Sequence, residues 1–127
     1  MKTPETASHS LPRERKASPD LVVYFAAESA DLSVEAQALL LKIIDTAKTS
    51  VVTLDGHSDD SGDGSYDMAV SDRRNAAVWR FMFMAGVPQN NIHRESFGAQ
   101  RPAGDNATEA GRALNRRVEL SLYPVAA

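Results

Sequence analysis

Residues Leu54–Arg74, LDGHSDDSGDGSYDMAVSDRR, change character twice. They open as the end of a strand, SVVTLDG, that Gly56 stops. An acidic, glycine-rich loop runs from His57 to Ser65, and a helical pattern then holds from about Asp67 to Ala85. Gly86-Val87-Pro88 ends that helix, as expected where glycine follows the last helical residue and proline cannot continue it. Its inward stripe reads Val70, Arg74, Ala77, Val78, Phe81, Met82, Ala85, at spacings of three and four. Arg74 is the anomaly, because a buried guanidinium cannot shed its charge and is prohibitively costly without partners. It must snorkel, pair with a carboxylate of the preceding loop (Asp59, Asp60 or Asp63), or bind an anion. Arg73, one position earlier, falls on the solvated face.

Outward from this stretch the chain is organised simply. Residues 1–19, rich in Pro, Ser, Thr and charge, are expected to be a flexible tether; the domain spans 20–123 and residues 124–127 form a tail. Leu21 to Phe25 suit a short buried strand. Ser33 stands at an N-cap position before VEAQALLLKIIDTAK, a helix expected to face Val34, Ala38, Leu41 and Ile44 inward. IHRESFG reads as a third strand, and RPAGDNATEAGRAL as a loop with one helical turn. NRRVELSLY reads as a last strand, with Val118, Leu120 and Leu122 on one face and Arg117, Glu119 and Ser121 on the other. The order β-α-β-α-β-β predicts an α+β fold, two main helices packed on one face of a mixed sheet.

Composition narrows the function. With 127 residues, 43% of them hydrophobic, the chain is one globular domain. A net charge of −3 and no basic stripe argue against nucleic acid. The absence of cysteine excludes disulfides, thiolate metal sites and cysteine nucleophiles. No apolar run is long enough to span a membrane. The first twenty residues lack the apolar core of a secretion signal, so the expectation is either a cytosolic chain or one whose signal or anchor lies upstream.

Two chemistries suggested by short motifs do not hold up. Gly56-His57-Ser58-Asp59-Asp60 nearly spells the nucleophile elbow G-x-S-x-G, but Asp60 stands where the sharp turn needs glycine. Asp59-x-Ser61-x-Asp63-Gly64 matches half of a calcium loop, yet its twelfth position is Val70 instead of a bidentate glutamate. Neither an enzyme nor a metal site is expected, and no cofactor.

Three blocks taken together are far more specific. GHSDDSGDGSYDMAVSDRRNAAV, preceded by VYFAAESADLS and followed by FGAQRPAGDNATEAGRALNRRVEL, resembles the OmpA-like peptidoglycan-binding domain of OmpA-type porins, Pal lipoproteins and the MotB stator protein. The resemblance covers roughly residues 21–123. It implies non-covalent binding to the diaminopimelate of the wall's peptide stem, without catalysis, anchoring an envelope protein to the wall. It implies a periplasmic place in a Gram-negative bacterium, with membrane contact only through an upstream anchor or barrel. In the family, the aspartate of G-H-[ST]-D and the second arginine of L-S-x-R-R hold diaminopimelate; these positions are Asp59 and Arg74. Such a receptor needs an anion beside a cation, because the distal centre of diaminopimelate carries one ammonium and one carboxylate.

By the same resemblance Ser58 replaces the usual Thr, Asp67 the common Asn and Val70 the common Leu, and all three are expected to line the pocket. Arg117, of the Asn115-Arg116-Arg117 block, is expected to touch ligand or loop, against a plain sheet-surface role. The family's F-D-F-D-S or F-D-x-N block reads here Phe25-Ala26-Ala27-Glu28-Ser29, so Ala26 replaces an aspartate and Glu28 keeps the carboxylate. That departure leaves an alternative, a protein-interaction module that keeps the fold with weakened or lost wall binding.

Overall fold

The computed structural model describes residues 10–125. Strand β1 (Leu21–Tyr24) leads to helix α1 (Val34–Ala47), then β2 (Ser50–Gly56) and helix α2 (Gly64–Met84). A 3-10 turn at Gln89–Asn91 precedes β3 (Ile92–Ser96), and a short α3 (Glu109–Asn115) precedes β4 (Arg117–Pro124). The order is thus β-α-β-α-β-α-β. The expected single turn after Arg101 is a seven-residue helix, capped by Thr108, whose side chain accepts from Gly111 N–H.

The four strands lie in the order β1-β4-β2-β3. β4, last in sequence, enters between β1 and β2 and runs antiparallel to both, pairing Val23 with Val118 and Leu54 with Leu120. β2 and β3 are parallel, a pairing that needs a crossover, and α2 supplies it. Val23, Val52, Leu54, Val118 and Leu120 face the core with Leu40 and Ile44 of α1 and Val78 and Met82 of α2.

α1 corrects one expectation. Its buried stripe is Ala36, Leu40, Ile44 and Ala47, while Val34 is 79% and Leu41 60% exposed, and Ala38 is exposed too. The run ALLLKII offers apolar residues on more than one face, so two stripes have helical spacing. The one with alanine at either end allows the closer approach to the sheet. Ser33 caps the helix as read, accepting from Ala36 N–H at 3.0 Å.

α2 begins at Gly64, three residues earlier than expected, because Asp63 caps it through Tyr66 N–H at 2.8 Å. The C-terminal half of its inner face is apolar, but the N-terminal half buries Asp67, Ser71, Arg74 and Asn75. The last two turns of that polar run bolt the helix to the sheet's end. Asn75 donates to the carbonyls of Leu54 and Glu95, both at 2.8 Å, and Ser71 Oγ accepts from Gly98 N–H at 3.0 Å. The crossing is close: a Cβ at Gly56 would lie 2.4 Å from the Ser71 carbonyl oxygen. This close approach fixes where α2 stands relative to His57–Asp59.

Part of the stretch read as a tether is fastened to the sheet. Tyr123 Oη accepts from Lys16 N–H at 2.9 Å, and Arg15 pairs with Asp55 at 3.0 Å. Residues 1–9 and 126–127 lie outside the described residues.

Candidate functional site

Arg74 is 1% exposed and is the largest fully buried side chain among the described residues. It meets no carboxylate at ion-pair distance among them. Nε donates to the Ser29 carbonyl at 2.9 Å, Nη1 to His57 O at 3.3 Å and Nη2 to Ala26 O at 3.2 Å. Its guanidinium carbon lies 5.6 Å from the centre of the Phe25 ring. The carbonyls of Ala26 and Ser29 belong to a tight turn in which Glu28 has φ 55°, a left-handed conformation uncommon outside glycine. Burial lowers the Arg74 pKa to about 10, opposed by the charge of Asp59, so the group stays cationic at neutral pH.

The acidic loop does form a salt bridge, but with Arg116 and not with Arg74. Asp59 Oδ2 accepts from Arg116 at 3.3 Å, and Arg116 also pairs with Glu109 at 2.8 Å and donates to the Phe25 carbonyl at 3.1 Å. Asp59 Oδ1 accepts from the backbone and hydroxyl of Ser61. Burial on its own would raise the Asp59 pKa; the bonds from Ser61 and Arg116 outweigh it and hold the carboxyl below its usual range.

Glu28, Ser58, Asp59, Asp67, Val70 and Arg74 line one narrow cleft, joined by Ser61 and Tyr66. Its free space is about 10 Å³, room for about one water. Arg117 lies elsewhere: it pairs with Glu119 at 2.7 Å and reaches the Arg101 carbonyl at 3.0 Å, a loop contact on the sheet's other face. The larger groove, about 600 Å³, runs between α1 and α2 past Leu32, Ala77, Phe81 and Met84, with Asp31 and Arg80 at its edge. It is mostly apolar and holds no paired chemistry, so charge and burial together single out the smaller cleft.

With this geometry, comparison with known proteins is decisive. The sequence profile of the OmpA family matches residues 24–116. The chain belongs to the OmpA family. It is 38% identical over 99 residues to the peptidoglycan-associated lipoprotein of Pseudomonas aeruginosa, covering 76% of this chain and 59% of that protein's length. The crystal structure of the peptidoglycan-associated lipoprotein from Burkholderia pseudomallei superposes with a TM-score of 0.76 at 29% identity, covering 80% of this chain and 88% of that one. The cell wall anchor of the T6SS from P. aeruginosa gives 0.67 at 30% identity, covering 80% and 75%. The OmpA-family domain is a binding and anchoring module, not an enzyme.

Ser58 Oγ donates to the Asp59 carbonyl at 2.9 Å, while His57 stacks on Phe97 with ring centres 5.4 Å apart. Both His57 ring nitrogens are buried without a hydrogen-bond partner among the described residues, so His57 makes no hydrogen bond to Ser58. Asp59 and Asp63 are committed to Arg116 and the α2 cap, and no cluster able to hold a metal occurs among the described residues. No helix among them is long and apolar enough to cross a membrane.

Burial, reinforced by Arg117, depresses the His57 pKa to about 4. A histidine whose folded pKa lies below its unfolded value favours the fold while neutral. That stability is present above about pH 6.5 and drains away as pH falls toward the folded value. We expect wild-type protein to lose about 2 kcal/mol more than His57→Gln between neutral pH and pH 4. Thermal melts of both across that range check this; parallel curves would refute it.

Residue reading missed Arg116, Ser61 and Tyr66. A signal for Arg116 was present: Arg117 and Glu119 are two apart on a strand, hence on one face, which leaves Arg116 to turn toward the loop.

Proposed function

We propose that this domain docks an envelope protein to the cell wall by clasping the diaminopimelate of the peptide stem. Arg74 takes the carboxylate of its distal centre and Asp59 its ammonium. The observation that carries this reading is the state of Arg74. It is a buried cation with three of its five N–H donors spent on carbonyls, none on a carboxylate, and the residue lines the same cleft as Asp59. A bidentate carboxylate is the partner such a fork is built for.

The cleft as it stands admits little more than a water, so docking requires it to widen. The turn carrying Glu28 and the loop Asp59–Asp63 are the two walls able to move, because neither belongs to a strand or helix. The strained φ of Glu28 makes its turn the readier of the two. Each charge-assisted bond contributes on the order of 1.5–3 kcal/mol, so one stem binds modestly. Many tethered copies on a polymeric wall gain avidity. The place of such a domain is the periplasmic side of a Gram-negative envelope.

Co-sedimentation with purified sacculi tests this. The domain should pellet with the wall at low salt and progressively less as salt screens the ionic contacts. Failure to pellet at low salt would contradict the proposal. The groove between α1 and α2, with Met84 75% exposed beside it, favours the second reading, a protein-interaction module; that reading predicts no pelleting at any salt.

A further inference from the structure

The sheet ends in two edges, β1 and β3, and only one of them is guarded. β3 exposes Arg94 and Glu95, with Arg94 held to Asp72 at 3.0 Å, and a charged edge resists pairing with another strand. β1 reads Leu-Val-Val-Tyr, without charge or proline, and Tyr24 is 51% exposed. Its hydrogen bonding is one-sided. Phe25 N–H donates to the Arg116 carbonyl at 2.9 Å, so the antiparallel alternation gives β4 the backbone groups of Leu21, Val23 and Phe25. The N–H and C=O of Val22 and Tyr24 therefore point away from the sheet, and no strand meets them among the described residues. A groove of about 140 Å³ lies beside this edge, between β1 and the first half of α1, where Ala36 and Leu39 supply an apolar wall. Glu35, the one charged residue lining it, is exposed and forms no ion pair among the described residues.

We propose that the β1 edge takes up an extended basic segment of a partner polypeptide as an added strand. Outward N–H and C=O groups on alternate residues are the repeat that such a strand answers, its main chain supplying affinity and its alternate side chains specificity. Those of its side chains that fall on the helix side enter the groove against Ala36 and Leu39, which calls for small apolar residues there. Charge sets the sign of the occupant. Glu35 stands unanswered at the groove, and the nearest charged residues in sequence on either side of β1, Asp20 and Glu28, are acidic too. Lys16 is already committed to Asp20 at 2.6 Å. A second copy of this chain fits less well, because its own β1 brings no basic residue to Glu35. The groove shares no lining residue with the cleft at Arg74, so the two sites are separate.

The test is an NMR titration of the domain with a synthetic peptide of alternating valine and threonine flanked by lysines, with the same peptide flanked by glutamates, and with the lysine peptide N-methylated throughout. Expected are saturable shifts and slowed amide exchange at Val22 and Tyr24 with the lysine peptide, binding weaker by about threefold or more for the glutamate peptide, and no binding of the N-methylated form. Glu35→Lys should reverse the preference between the two charged peptides. Val22→Pro, at an edge position whose N–H β4 does not use, should weaken binding of the lysine peptide; the N-methylated arm reads the same hydrogen bonds without asking a variant to fold. Equal binding of the lysine and glutamate peptides, binding of the N-methylated form, or no response at Val22 and Tyr24 overturns the proposal. So does dimerisation that protects the same amides without peptide, which would make a second copy the occupant.

Discussion

Arg74→Ala should abolish co-sedimentation with sacculi and also weaken the fold by roughly 3 kcal/mol or more, since it strips a partner from the carbonyls of Ala26, Ser29 and His57 and leaves a cavity. The second half of this result follows from the burial of Arg74. A guanidinium facing an open pocket would be removable at no cost to the fold, whereas the structure buries it and makes it the tie between β1's end, the acidic loop and α2. Binding and stability therefore have to be separated. Arg74→Lys keeps the cation on a flexible stem but loses the planar fork that can hold a carboxylate through two bonds. It should retain more of the melting temperature than Arg74→Ala while binding sacculi at least tenfold more weakly than wild type. A folded Arg74→Ala that pellets as wild type does would show that the wall is held elsewhere.

Much of this was legible in the sequence because hydrophobic period is a local property. The strands, the two long helices and the caps at Ser33 and after Ala85 stood where pattern and turn chemistry put them. What was not legible depended on tertiary choice. Nothing local says that β4 enters between β1 and β2, and the all-apolar run in α1 could not reveal which stripe faces the sheet. At the site, Arg74 announced itself by breaking an apolar stripe, and Glu28, Ser58, Asp59, Asp67 and Val70 do share its cleft. The partner of Asp59 was easy to misassign because Arg116 and Arg117 are adjacent and chemically alike; the start of β4 between them sends one toward the loop and the other to Glu119. The polar half of α2 was opaque for a similar reason. Asn75 and Ser71 look like solvated positions until the sheet's end supplies carbonyls and an N–H for them.

The other large effect concerns the ligand. Replacing diaminopimelate by lysine in the stem removes one carboxylate from the distal carbon and leaves the ammonium in place. Arg74 is the proposed partner of that carboxylate, so the replacement leaves a buried cation still uncompensated while the cleft must open all the same. Doing without a charge-assisted bidentate pair corresponds to about tenfold to a hundredfold in affinity. The acidic side of the cleft cannot make up the difference, since Asp59 sees the same ammonium in both stems. The decisive measurement is an NMR titration of the domain with matched diaminopimelate and lysine muropeptides. Saturable shifts are expected at residues 26–29, 57–61 and 66–74, with the diaminopimelate stem binding at least tenfold tighter. Equal affinity for the two stems, or shifts confined to the groove between α1 and α2, would contradict a clasp built on Arg74.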